Sequence, residues 1–250
     1  MSEHEMLNLL KIFHLRRLYF FLKDRQIIGK KRQTSKLFNN ATGRFLIRYF
    51  GGDEGHLINR ETGNIGFGLI HYALVRNLNP TRVLCIGSRR GFIPAICALA
   101  CQDNNKGNVD FVDAGYDRNQ PAKHWSGVGF WKKVIPQKHF STLNLGKWIT
   151  TYVMTSGQFA DKFPKRRYGY IYVDGDHSYE GVKKDFEAFW PRLEKNGFMS
   201  FHDIVAKGYL DGGEFGVWKF WNELENVNKI EFPFPDKPPE YSGLGIIQKI

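Results

Sequence analysis

From residue 65 onward, apolar runs of strand length alternate with segments of helix length, and several of the runs stop at a glycine or an acid. Residues 81–87 (TRVLCIG), 109–113 (VDFVD), 149–154 (ITTYVM), 168–174 (YGYIYVD) and 198–201 read as five strands, with two more at 230–232 and 243–249. Helices are expected at 92–101, 179–193 and 215–224. In the second of these, Val182, Phe186, Phe189 and Trp190 face one side, while Glu180, Lys183, Lys184 and Glu187 face the other; that spacing belongs to a helix with one buried face. Asn196-Gly197 is expected to stop this helix. Strands alternating with helices imply a mainly parallel sheet covered on both faces. Ligands of such sheets lie beyond the carboxyl ends of the strands, where the strand order reverses. Residues just past each strand are therefore the first to examine for chemistry.

Four constellations sit there. The first strand runs into Gly87-Ser88-Arg89-Arg90-Gly91. Glycines at a strand-to-helix turn let a ligand approach the backbone, and the following helix offers free N–H groups. The pattern is G-x-x-x-G, not the G-x-G-x-x-G of dinucleotide enzymes; a purely structural turn would look the same. Asp113 closes the second strand, where an acid can accept both ribose hydroxyls of a nucleoside; Asp110 and Asp117 are its rivals. The fourth strand ends in Asp174-Gly175-Asp176-His177-Ser178, and the fifth in Phe201-His202-Asp203. If those two strands are neighbours, Asp174, His202 and Asp203 can converge on one cation, with positions left for substrate oxygens. His177 follows closely and could take a proton near neutral pH, with Asp176 beside it as a second catalytic candidate. Helix capping by Asp176 or Ser178 is the plainer reading of the same residues.

Charge divides the chain unevenly. Residues 1–50 hold eleven Lys or Arg against three acids, while the other 200 hold 25 basic and 22 acidic groups. This speaks against a nucleic-acid groove across the whole chain. It suggests a basic, helical extension over 1–50 that meets an anionic membrane surface or an acidic glycan, ahead of a domain at 51–250. Residues 6–23 carry apolar side chains nearly all round, as a helix buried by a second copy, by the body of the chain or by a membrane interface would. The join at 114–147 is long for a plain connection and is expected to be a lid or substrate loop. An odd count of three cysteines, no stretch of about 18 apolar residues, and two acids in the first five positions point to a cytoplasmic protein, peripheral to the inner membrane face at most.

The motifs resemble those of the class I S-adenosylmethionine (SAM) dependent methyltransferases, and most closely the metal-dependent sugar O-methyltransferases related to macrocin O-methyltransferase. The resemblance runs from about Glu61 to the end. Its most specific parts are Asp174-Gly175-Asp176-His177-Ser178-Tyr179-Glu180-Gly181 and Gly197-Phe198-Met199-Ser200-Phe201-His202-Asp203. It implies a Rossmann-like α/β fold with a seven-stranded, mainly parallel sheet. It further implies SAM at Gly87, Ser88, Arg89, Gly91, Asp113 and Asp174, magnesium at Asp174, His202 and Asp203, and His177 as general base. The acceptor would be a sugar or glycan hydroxyl. Two positions depart from the family pattern: Cys85 stands where an acid is common, and His202 where some relatives have an acid. Other readings are a methyltransferase of small phenols or nucleic acids, and a non-catalytic scaffold in a glycan assembly complex. The Asp/Asn-Pro-Pro-aromatic loop of amino-methylating DNA enzymes is absent after the fourth strand, so no nucleic-acid partner is expected.

Overall fold

The structure is a computed structural model that describes residues 41–50, 56–59, 61–116, 129–210, 213–233 and 242–250. The expected helix at 6–23 and part of the expected lid, 117–128, lie outside the described residues. Contacts divide the chain between residues 39 and 40. Consequently α1 (Ala41–Phe50), which the sequence places in the basic extension, belongs to the larger unit, where Leu46 and Phe50 are buried.

In chain order there follow β1 (Ile58–Asn59), β2 (Asn64–Ile65), α2 (Gly68–Leu78), β3 (Arg82–Ile86), α3 (Phe92–Asn104), β4 (Asn108–Asp113), α4 (Phe130–Lys133), α5 (Pro136–Thr142), β5 (Ile149–Val153), α6 (Ser156–Lys162), β6 (Tyr168–Val173), α7 (Tyr179–Phe189), β7 (Leu193–His202), β8 (Tyr209–Leu210), β9 (Gly213–Glu214), α8 (Val217–Glu223), β10 (Asn228–Phe232) and β11 (Leu244–Gln248). Seven strands form the main sheet in the order β10-β11-β7-β6-β3-β4-β5. The five from β7 to β5 are parallel, and β11 and β10 run antiparallel at one edge. The strand order reverses at β3, which lies between β6 and β4.

Successive residues of a strand point to opposite faces. On one face Leu84, Ile86, Ile171, Val173, Met199 and Phe201 join Phe159 of α6, Val182 and Phe189 of α7 and Phe220 of α8 in one cluster. On the other, Cys85, Tyr170 and Tyr172 meet α2 and α3: Cys97 of α3 approaches Cys85, and His71 of α2 hydrogen-bonds the Tyr170 hydroxyl. Ten successive residues of α3, Phe92–Cys101, are buried, which explains its lack of a polar stripe. Asn196-Gly197 does not end a helix. The pair lies inside β7 at a register shift against β6, with Asn196 at φ 64°. The helix has already ended at Phe189, where Pro191 forces a short 3₁₀ turn.

Candidate functional site

Register brings the strand tips together. Ile86 pairs with Val112 and with Val173, and Val173 pairs with Phe201. Gly87, Asp113, Asp174 and His202 thus cap four adjacent strands at one end of the sheet. The Gly87 N–H donates to Val112 O (2.7 Å) and the Asp174 N–H to Ile86 O (2.8 Å). Gly87 has φ 70°, and a Cβ there would lie 2.2 Å from the Asp174 carbonyl oxygen. Glycine is required on both counts, conformation and room.

The glycine turn is held from three sides. Ser88 is 3% exposed, and its Oγ accepts from the Gly91 N–H at the start of α3 (3.1 Å). The Ser88 N–H donates to Asp113 Oδ2 (3.1 Å), and Asp113 Oδ1 accepts from the Gly115 N–H (2.7 Å). Trp131 of α4 donates its indole N–H to Ser88 O (2.7 Å) and lies with Phe140 where a side chain at Gly91 would be. Described parts of the long join therefore clamp the turn. Asp113 spends one lone pair of each oxygen on the turn, and each carboxylate oxygen has further acceptor capacity. Burial pushes its carboxyl up to about 6, against the pull of those two backbone bonds. Its rival Asp110 is 1% exposed and serves structure, paired with Arg166 (3.0 Å) and Arg82 (3.6 Å). Asp117 lies outside the described residues. Arg89 is exposed at the rim of the turn.

Beside this turn the two remaining strand tips form an Asp–His centre. His177 lies between two carboxylates, with Nε2 3.3 Å from Asp174 Oδ1 and Nδ1 2.8 Å from Asp203 Oδ2. His202 Nδ1 lies 3.4 Å from Asp174 Oδ1 and 3.0 Å from Asp203 Oδ1. One ligand atom from each of Asp174, His177 and Asp203 can be chosen with all three within 4.8 Å of one another. Burial alone would lower the basicity of His177, but its bonds to Asp174 and Asp203 outweigh it and raise the group to about 10. Burial opposes ionisation of Asp203 as well; the adjoining His202 and His177 prevail and hold its carboxyl far below the usual range. Asp203 is also a non-glycine residue at φ 62°, a conformation costing roughly 1 kcal/mol or more that persists where surroundings enforce it. Two carboxylates and an imidazole are donors that suit a divalent cation, and His202, expected from the sequence as a ligand, lies against both carboxylates rather than within that triad.

Asp176 is placed differently. Its Oδ1 accepts from the Ser178 N–H (2.9 Å) and its carboxyl packs on Gly181, while Ser178 Oγ caps α7 by accepting from the Gly181 N–H (3.1 Å). Ser178 is the cap of α7, and Asp176 makes the turn that leads into it. Around the centre stand residues that the motifs did not single out. The Ser242 hydroxyl lies 3.1 Å from His202 Nε2, the His56 ring stacks on His202, and Phe215 lies beside His177. The Gly216 N–H donates to His177 O (2.8 Å), tying the segment before α8 to the loop. A shallow surface cavity lined by Thr81, Arg82, Arg166 and Glu194 lies at the opposite ends of the strands and shares no residue with this centre.

Known proteins give this geometry a setting. Residues 84–204, which span all four strand tips, match the profile of a family described as a methyltransferase domain. Over 219 residues the chain is 25% identical to the uncharacterized protein y4gI of Sinorhizobium fredii; the match covers 87% of this chain and 22% of that one, so the chain spans about a fifth of this curated relative. Among solved structures it is similar to the O-methyltransferase TomG of Streptomyces achromogenes, involved in tomaymycin synthesis and solved with SAM (TM-score 0.57, 12% identity, 100% of this chain and 99% of that one). It is also similar to an O-methyltransferase of Bacillus cereus in complex with SAH (TM-score 0.54, 10% identity, 84% and 92%). A third is the SAH-bound methyltransferase PaMTH1 of Podospora anserina (TM-score 0.53, 12% identity, 96% and 98%). At these identities the likeness establishes the fold, which is the Rossmann-like methyltransferase fold.

Proposed function

We propose that this chain is a SAM-dependent O-methyltransferase that methylates a sugar or glycan hydroxyl with the help of a divalent cation and the His177 base. The observation that carries the reading is the adjacency of two sites at one end of the sheet. A nucleoside-type cradle (Gly87, Ser88, Arg89, Gly91, Asp113) lies one strand from a proton-handling centre (Asp174, His177, His202, Asp203). Asp113 would take the ribose hydroxyls, and the turn would take the rest of the donor. Asp174, His202 and Asp203 would hold the cation, with magnesium the ion that the family resemblance implies. When bound, such an ion acidifies a coordinated hydroxyl, and SAM supplies the methyl group. His177 holds a proton while Asp174 and Asp203 are uncompensated, and can accept one once their charge is met elsewhere. Phe215 gives the acceptor an apolar wall next to that imidazole. Fixing the hydroxyl between donor and base supplies much of the rate, because misorientation forfeits it.

The basic segment 1–50 favours an acceptor that is anionic or membrane-borne, and residues 6–23 would provide a surface for a membrane or a second copy. Among the described residues no helix is long and apolar enough to cross a membrane. A panel of sugars, nucleotide sugars and cell-envelope glycans assayed for methyl transfer from SAM, with and without chelator, tests the reading. Turnover on a sugar that stops with chelator and returns with added cation is expected. Chelator-resistant turnover would remove the ion from the scheme, and turnover confined to a phenol or an RNA would replace the acceptor. SAM binding without turnover on any class would favour the scaffold.

A further inference from the structure

The two imidazoles of the Asp–His centre are held differently. His177 presents both ring nitrogens to carboxylates. His202 presents only Nδ1; its Nε2 lies against the Ser242 hydroxyl (3.1 Å), which β11 delivers by pairing Leu244 with His202. The His202 ring is stacked on His56, with centroids 4.5 Å apart and planes inclined by 25°. His56 Nε2 lies 3.1 Å from the Tyr172 hydroxyl, and that hydroxyl bonds to Asp174. Ring orientation at His202 and carboxylate orientation at Asp174 are thus set by one connected group of buried side chains. Resting on the cation-assisted reading above, we propose that His202 is a nitrogen ligand and that the centre selects a borderline divalent transition metal, of the Co²⁺ or Zn²⁺ kind, over Mg²⁺. Ser242 and His56 are its positioning residues. Mg²⁺ demands a near-ideal octahedron of oxygens, whereas imidazole suits transition metals. Ligating histidines commonly have their second nitrogen engaged by a fixed partner, and loss of that partner weakens binding about 10- to 100-fold.

The experiment is a calorimetric titration of the metal-stripped full-length chain with Co²⁺ and, separately, with Mg²⁺. Co²⁺ should bind about 100-fold more tightly. His202→Asp should narrow that ratio by about tenfold or more, and Ser242→Ala should weaken Co²⁺ by about tenfold with little change for Mg²⁺. Ser242→Ala removes one hydroxyl and keeps the test readable should the other variant not fold. With Mn²⁺ bound, pulsed electron paramagnetic resonance should show ¹⁴N modulation that vanishes in His202→Asp and persists in His177→Gln. A ratio unchanged by both substitutions, or a nitrogen signal lost in His177→Gln and kept in His202→Asp, overturns the proposal while leaving a cation site in place. Failure of every cation to bind overturns it together with the cation-assisted reading.

Discussion

Gly87 shows how much one residue can decide. Its φ of 70° and the 2.2 Å between a would-be Cβ and the Asp174 carbonyl oxygen leave no room for any side chain. Gly87→Ala should therefore lose roughly 2 to 5 kcal/mol of stability, through strain plus overpacking, as read by urea unfolding. A stability within about 0.5 kcal/mol of the parent would mean that the two strand tips do not meet as described. At the neighbouring tip His177→Ala should cut methyl transfer by about 10²- to 10⁴-fold while SAM affinity stays near the parent value. Equal loss of both would make His177 a structural residue of the loop. Asp176→Ala should cost roughly 1 kcal/mol of stability through its lost bond to the Ser178 N–H, with a far smaller effect on turnover than His177→Ala.

At the scale of elements, α7 carries an unusual charge. Asp185 is 4% exposed on the face turned to the sheet, and its partner is Ser156 at the start of α6. Burial pushes its carboxyl up to about 7, with a further push from Asp176 against the pull of the Ser156 bond. A group that holds its proton more tightly folded than unfolded favours the folded state at low pH. That contribution is complete below about 4 and is lost as pH rises through about 7, on the order of 4 kcal/mol in all. Asp185→Asn should raise Tm at pH 8 and flatten the fall in Tm between pH 5 and pH 8. A lower Tm at pH 8 than the parent would show the ionised carboxylate to be needed. A second element, α4, reaches the glycine turn through Trp131. Trp131→Phe keeps the stacking on Phe140 but loses the bond to Ser88 O, and should weaken SAM binding several-fold in calorimetry.

Elements and strand tips were legible to different depths. The seven main strands and α7 could be read because β-branched runs and a one-sided apolar pattern are local signals. Gly87, Asp113, Asp174, His202 and Asp203 could be placed because they end those runs, and parallel pairing brings the ends together. By contrast β7 was read short, since Asn196-Gly197 looks like a helix stop in one dimension and is a register shift in three. Asp185 sits among charged neighbours in the sequence, and only packing shows that it faces inward. His56, Ser242 and Phe215 come from the chain before β1, the start of β11 and the approach to α8; no spacing rule ties them to the Asp174 loop. Asp176 shows the converse, a residue of a chemical motif that one oxygen also ties to the backbone at Ser178.

For the whole molecule, the proposed donor cradle at Gly87 and Asp113 lies one step of the sheet from the Asp–His centre, and most of the net positive charge falls in the first fifth of the chain. If that excess charge meets an anionic surface, as proposed, binding to anionic vesicles should fall as salt rises. The central claim is that the Gly87 turn and Asp113 hold SAM. Calorimetric titration of the full-length chain with SAM tests it most directly. One site per chain is predicted, weakened at least about tenfold in Asp113→Ala, whose carboxylate shapes the turn and would take the ribose hydroxyls. Absence of binding, or binding that Asp113→Ala leaves unchanged, would contradict it.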